Sequence, residues 1–184
     1  MKYSFLLLST LLSAIAGCAN ENGTEPGPIL TSDESRAMTE DEFWELIDTV
    51  DTDAIARGDE ETAVEPLVEA LAAFPPDKIK HFEDHLATVL YRLDGRRYAD
   101  NAGQSGQSSD GFLYSRCYVV GCGRQQYKAT LDDPEQMPKS IDHWFESLLY
   151  ASQEAWSVAT GKDREDWDFE ASVSYETGSN KTQW

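Results

Sequence analysis

The sequence predicts an all-α protein, a single helical domain of five to six helices with an irregular C-terminal tail. Three observations carry that expectation. Apolar residues recur at helical rather than alternating spacing through most of 38–161. Thr-x-x-Glu signatures stand at the head of two of these stripes. The 184 residues, 40% hydrophobic and 11% aromatic, suffice for one sizeable core and suit one domain better than two.

Each element follows from its own residues. Thr39-Glu-Asp-Glu42 has the form of a capping box, in which the Thr hydroxyl and the Glu carboxylate each satisfy an orphan backbone N–H; Phe43, Ile47 and Val50 follow at helical spacing. A helix over 40–51 is expected. Thr62-Ala-Val-Glu65 repeats the device beside the stripe Val64, Leu67, Val68, Leu71 and Phe74, with Pro66 near enough to the first turn to be tolerated. That run ends at Pro75-Pro76. Pro76 suits the first turn of a third helix, whose stripe is Ile79, Phe82, Leu86, Val89 and Leu93 and which Asp94-Gly95 closes. The Gly- and Ser-rich stretch 103–109 reads as a flexible loop. Helix resumes over 112–131, where Gly121 and Gly123 mark a break or kink. A last helix over 140–160 places Phe145, Leu148, Leu149 and Trp156 on one face and ends at Gly161. In the tail, 162–184, Phe169, Ala171, Val173 and Tyr175 alternate as a strand would. No other segment offers a partner strand, so the tail is expected to be irregular and packed by Trp167 and Phe169.

The most specific local signal precedes the domain. MKYSFLLLSTLLSAIAGC supplies a charge at Lys2, an apolar run from Phe5 to Ile15 and a small-residue cleavage site, the order of an export signal. The run is well short of the roughly 20 apolar residues a spanning helix needs. Ile15-Ala-Gly-Cys18 resembles the bacterial lipobox, so 1–17 is expected to be a lipoprotein signal peptide and Cys18 the acylated, palmitate-bearing first residue of the mature chain. The alternative is an ordinary cleaved signal with an accidental cysteine. Several acyl chains exceed the marginal, reversible binding of one, which would make the membrane a lasting partner through Cys18. Residues 18–37, with Gly, Pro, Asn and Ser and no periodicity, read as a tether with a reach of roughly 20 to 25 Å. The expected location is the cell envelope. By resemblance to lipoproteins generally, Ala19 rather than Asp after the cysteine implies the outer membrane if the cell is Gram-negative.

Charge excludes some functions and suggests others. With 34 acidic residues against 15 basic and a net charge of -19, the surface would repel a polyanion, which argues against nucleic acid as a partner. The distribution is uneven: 31–65 is net -11, 78–128 is net +3 and 129–184 is net -8. Either the acidic flanks are solvated faces, or they meet a basic protein. In the basic middle, Arg92, Arg96, Arg97, Arg116 and Arg124 either neutralise neighbouring carboxylates or line a shared anion-binding cleft.

With Cys18 lipidated, Cys117 and Cys122 remain as an even pair in an oxidising compartment. Residues five apart in a continuous helix cannot be bridged, so a disulfide needs a break, which Gly121 and Gly123 could supply; the alternative is two small, partly buried thiols. Neither a redox motif nor a zinc set is present.

No catalytic constellation is complete and no cofactor site is read. His81-Phe-Glu-Asp-His85 has ligand spacing, but Phe82 stands where a zincin needs Glu and Asp84 where the inverted pattern needs it. Gly103-Gln-Ser105-Gly106 misses the nucleophile-elbow register, and Asp51-Thr-Asp53 starts a calcium loop that Ile55, Ala56 and Thr62 do not continue. No metal ligands and no catalytic residues are therefore assigned.

Read in order, Thr39-Glu-Asp-Glu-Phe43-Trp44, Pro76-Asp-Lys-Ile79, Asp110-Gly-Phe112-Leu-Tyr-Ser-Arg116, Gly123-Arg124-Gln-Gln-Tyr127 and Asp133-Pro134 resemble a bacterial family known as domain of unknown function DUF4240. The resemblance covers roughly 38–161, implies a mostly helical domain and implies no activity. The chain departs from the family at Tyr118, where Trp is usual, and at Cys117 and Cys122, where other residues stand. The paired departure to cysteine in an exported member favours the disulfide. The matching polar residues Asp110, Arg116 and Arg124, with Tyr114 and Tyr127, are the candidate ligand- or partner-binding set. Structurally, the same Asp and Arg would cap a kinked helix. Functionally, two guanidinium groups would bind a carboxylate or phosphate.

Together these readings give a lipid-anchored, acidic binding module that takes a basic protein as partner. The rival is an enzyme or small-anion-binding protein using Asp110, Arg116 and Arg124. A third reading is a structural envelope lipoprotein.

Overall fold

A computed structural model describes residues 36–184, so the segments expected to be an export signal and, for the most part, a tether, with Cys18 between them, lie outside the described residues. The described chain is helical and has no strand. Eight α-helices follow in order: α1 (Glu40–Ile47), α2 (Thr52–Ala56), α3 (Glu60–Ala72), α4 (Pro76–Arg92), α5 (Arg96–Ala99), α6 (Ser109–Gly121), α7 (Arg124–Asp132) and α8 (Ala151–Thr160). The count exceeds five or six because α2 and α5 are single-turn helices too short to show periodicity. None of the described helices is long and apolar enough to cross a membrane.

The first helix starts as its sequence dictates. Glu42 N donates to Thr39 Oγ1 at 3.2 Å while Thr39 N donates to Glu42 Oε2 at 2.8 Å, closing the capping box. The same carboxylate accepts from Lys78 Nζ of α4 at 3.0 Å, an ammonium only 7% exposed. The Thr39 backbone N–H first, and then Lys78, hold the Glu42 carboxyl down at about 2. A depressed carboxylate contributes stability that is complete above its unfolded value near 4.5 and is lost as pH falls toward 2. Glu42→Gln is therefore expected to cost about 1 to 2 kcal/mol at pH 7, discounted for partial exposure, with the difference from the parent shrinking to nothing near pH 2. Urea midpoints of both proteins across pH check this.

Several boundaries differ from the sequence expectation. Asp59, whose side chain accepts from Thr62 N, caps α3 in place of the Thr62 box, so the helix begins earlier and Pro66 sits inside it. The 103–109 stretch is ordered rather than a flexible loop: it forms a 3-10 turn at Ser105–Gln107, with Ser105 fully buried and bonded by the Trp144 indole N–H at 2.9 Å. The last helix is shorter than 140–160, because 140–145 is irregular and Glu146–Tyr150 is 3-10 before α8 begins.

Gly121 is the last residue of α6, and a Cβ there would meet the Phe145 ring at 2.5 Å, so the glycine admits a close aromatic neighbour. The break falls at Gly123, which turns the chain into α7 at φ +90. Consequently Cys117 lies inside an unbroken helix with Cys122 at its cap, and of the two alternatives open from the sequence the structure has the free thiols, Cys117 buried and Cys122 half-buried. Burial pushes both thiols up, which disfavours the thiolate form.

One core joins the helices. Phe43 and Ile47 of α1 meet Leu67 and Leu71 of α3 and Phe82 and Leu86 of α4 in a cluster of fully buried side chains, with the Phe43 and Phe82 rings 5.0 Å apart. The α8 helix packs on both α3 and α4, and α6 packs on α4 and α7. The tail is irregular, as expected, with Trp167 against Trp156 and Phe169 at 5.7 Å each. It is more than a trailing segment: Asn180 is buried, and residues 178–180 and Trp184 hydrogen-bond to Asp94 of the domain.

Candidate functional site

The residues singled out in the sequence do not assemble into an anion cleft. Arg116, on the buried side of α6, is wholly enclosed. Its Nη1 donates to the Leu90 carbonyl at 2.9 Å, and its Nη2 to the Tyr175 carbonyl at 2.9 Å and to Thr177 Oγ1 at 3.1 Å. Its guanidinium lies 4.9 Å over the Phe112 ring. Burial lowers its pKa, and the charges of Asp94 and Glu176 oppose that fall. Arg124 instead faces the surface and pairs with Asp41 at 2.6 Å and Glu40 at 3.3 Å of α1. Asp110 is exposed in the first turn of α6. Tyr114 packs edge-on against Trp144 at 5.6 Å, and Tyr127 lies 5.1 Å from Trp44. Partial enclosure pushes both phenols up to about 12, Tyr114 with help from Glu146 and Tyr127 against the pull of Arg92. Both arginines are thus committed to neighbours, which removes the set proposed for an anionic substrate.

His85 is also occupied structurally, whereas His81 keeps a buried Nδ1 without a partner. His85 Nε2 lies 2.9 Å from the Met38 carbonyl and its ring stacks on Phe43 at 5.6 Å, so it is not poised with His81 for a metal. Among the described residues no three His, Cys, Asp or Glu side chains converge to hold an ion.

A residue that the sequence marks only as the end of a helix organises the molecule's other end. Asp94, fully buried just past α4, accepts four hydrogen bonds from the tail. Its Oδ1 accepts from Gly178 N at 3.0 Å and the Trp184 indole N–H at 2.8 Å, and its Oδ2 from Asn180 N at 2.8 Å and Ser179 Oγ at 3.1 Å. With Arg116 holding Tyr175 and Thr177, the two charges fasten residues 175–184 onto α4 and α6. The fastened tail forms a wall of a surface cleft.

Among the described residues several concavities have ligand-sized volume, one of about 460 Å³ beside Tyr118, Cys122 and His143, and two others are rich in carboxylates. The larger, about 740 Å³, runs between α3 and α8. Glu61, Glu65 and Glu69 recur every four residues along its α3 side, Glu154 of α8 lies in its lining, and Val64 and Val68 give it an apolar floor. It continues past Tyr150 into a second hollow of about 390 Å³ lined by Asp59, Glu60 and Glu146. Among the described residues no Lys or Arg lines either part, although Arg164 Nη1 pairs with Glu154 at 3.3 Å. The sequence held a signal for the groove, the four-residue recurrence of Glu beside Val in 61–69, but the capping motif at Thr62 masked it.

The other concavity, about 350 Å³, lies between α4, α8 and the tail. Glu83, Gln153 and Trp167 line it with residues 169–171 and 173–176. Glu83, 8% exposed, has an oxygen that is shielded from solvent and accepts no hydrogen bond. Burial raises its pKa; the Ser152 hydroxyl is near enough to oppose the rise but makes no properly formed hydrogen bond.

No curated protein and no solved structure matches the chain at a significant level. The family model described as Protein of unknown function (DUF4240) matches residues 38–158, which takes in α1 to α7 and most of α8 but not the tail. The chain belongs to that family.

Proposed function

We propose that the protein is a lipid-anchored acidic binding module of the bacterial envelope, which captures a basic protein segment in the groove between α3 and α8. The observation that supports it most is the carboxylate row Glu61, Glu65 and Glu69 over the Val64 and Val68 floor, with no Lys or Arg among the described lining residues; Glu154 of the same lining is paired with Arg164 at 3.3 Å. Such a row attracts Lys and Arg heads by long-range steering, and the apolar floor accepts their stems or a neighbouring side chain. The lipobox at Cys18 and the tether support placing this groove near a membrane surface. Arg116 and Arg124 are engaged within the protein, so the anion-binding alternative has no comparable support.

The test uses a soluble form of residues 19–184 to capture proteins from the source cell's envelope and medium across a salt series. A triple variant, Glu61→Gln, Glu65→Gln and Glu69→Gln, is compared with a charge-matched control, Glu45→Gln, Asp132→Asn and Glu165→Gln, altered at exposed positions elsewhere. The expected result is a basic protein retained at low salt, released as salt rises, and bound at least tenfold more weakly by the groove variant alone. Equal retention by both variants would show that total charge, not the groove, is responsible, and the reading would fall.

A further inference from the structure

The cleft at Glu83 is chemically distinct from the acidic groove. Three carboxylates, Glu83, Glu170 and Glu176, share it with the rings of Trp167, Phe169 and Tyr175, and among the described residues no Lys or Arg lines it. Only Glu83 is buried, and it is the anomaly: a carboxylate in a nearly enclosed position without a partner for one oxygen is costly unless something completes it. The carboxylates do not converge into a metal cage. A single buried carboxylate bordered by aromatic faces is instead the arrangement that recognises an organic cation, with the ion pair at the head and ring faces along an apolar stem. Arg116 stands behind this wall with its fork spent on the Leu90 and Tyr175 carbonyls, and the charges of Asp94 and Glu176 offset its own. The cleft therefore remains an acceptor of positive charge.

We propose that this cleft binds an organic cation, a primary ammonium or guanidinium on a short apolar stem, whose head pairs with Glu83 and whose stem lies against Trp167, Phe169 and Tyr175. The ligand is either a free amine or a Lys or Arg side chain of a protein. The site does not depend on the α3–α8 groove, and much of its wall comes from residues beyond the family match, so it is a property of this chain rather than of the matched region.

Titration of the full folded domain with butylammonium chloride, followed at the Trp167 indole N–H resonance assigned through Trp167→Phe, tests the proposal. A saturable shift is expected, with a dissociation constant on the order of 1 mM for so small a ligand. Butanol and sodium chloride at matched concentration should give no saturable shift. Glu83→Gln should weaken binding at least tenfold. Should that variant fail to fold, Ala171→Phe, which fills the cleft while leaving Glu83 intact, is expected to abolish the shift. The groove variant of Glu61, Glu65 and Glu69 should bind butylammonium unchanged, so failure here and failure of the groove reading are separable. A blocked lysine tripeptide that displaces butylammonium identifies a protein side chain as the source, and one that does not identifies a free amine. No saturable shift, or an equal one in Glu83→Gln, would overturn the proposal.

Discussion

Replacing Asp94 by Asn is expected to destabilise the protein by about 3 kcal/mol and to release the tail. Four donors converge on this carboxylate, two on each oxygen. Asn keeps the shape but turns one oxygen into a second set of N–H donors. If that is Oδ1, the Gly178 N–H and the Trp184 indole lose their acceptor; if Oδ2, the Asn180 N–H does. At least one donor is left facing another donor, and the ionic strengthening of the remaining bonds is lost. Urea unfolding gives the free energy, and limited proteolysis gives the mechanism, because a loosened tail exposes backbone between Gly161 and Gly178. A midpoint within about 0.5 kcal/mol of the parent, the range of an ordinary surface substitution, would contradict the assignment of Asp94 as the anchor.

The larger loss is expected at Arg116, where Arg116→Met should cost about 3 to 5 kcal/mol. Met occupies much of the space but donates nothing, so the Leu90 and Tyr175 carbonyls and Thr177 Oγ1 lose the donor they share, and Asp94 loses a compensating positive charge in the interior. Arg116→Lys should recover only part, since a single ammonium cannot reproduce a planar fork that reaches acceptors on α4 and the tail at once. Because both charges fasten the same segment, the Asp94→Asn, Arg116→Met double variant should lose clearly less than the sum of the singles. Strict additivity in that cycle would mean the two residues act on separate parts of the molecule. If Arg116 were instead a ligand-binding residue, Arg116→Met would leave the urea midpoint unchanged.

Local patterns made the helices readable and left the site obscure, for physical reasons that differ residue by residue. The capping box at Thr39 and the stripe from Ile79 to Leu93 need only neighbours three or four positions away, and α1 and α4 appear close to where those patterns put them. Asp94 before Gly95 carries a local meaning, the end of a helix, that conceals a tertiary one: its partners lie 84 to 90 residues downstream. No spacing rule connects such positions. The arginines fail in the opposite direction. Arg116 and Arg124 lie on opposite sides of the Gly123 break, which suggests a shared cleft, but the break sends α7 away so that Arg124 reaches α1 while Arg116 points into the core. Similarly, Gly121 looks like a breaker because a glycine's tolerance of unusual backbone is visible in sequence, whereas its tolerance of a ring at close range is not.

The docking of the tail on Asp94 also sets an order of events during synthesis. Asp94 and Arg116 leave the ribosome long before Gly178, Asn180 and Trp184 do, and until then their charges lack most of the groups that satisfy them. Helices α1 to α4 can collapse early on local contacts, but the step that neutralises the interior must wait for a closure spanning 84 residues. A nascent chain halted at any point before Gly178 is consequently held in a loose, half-assembled condition, and the domain sets in its final form through one late, long-range event.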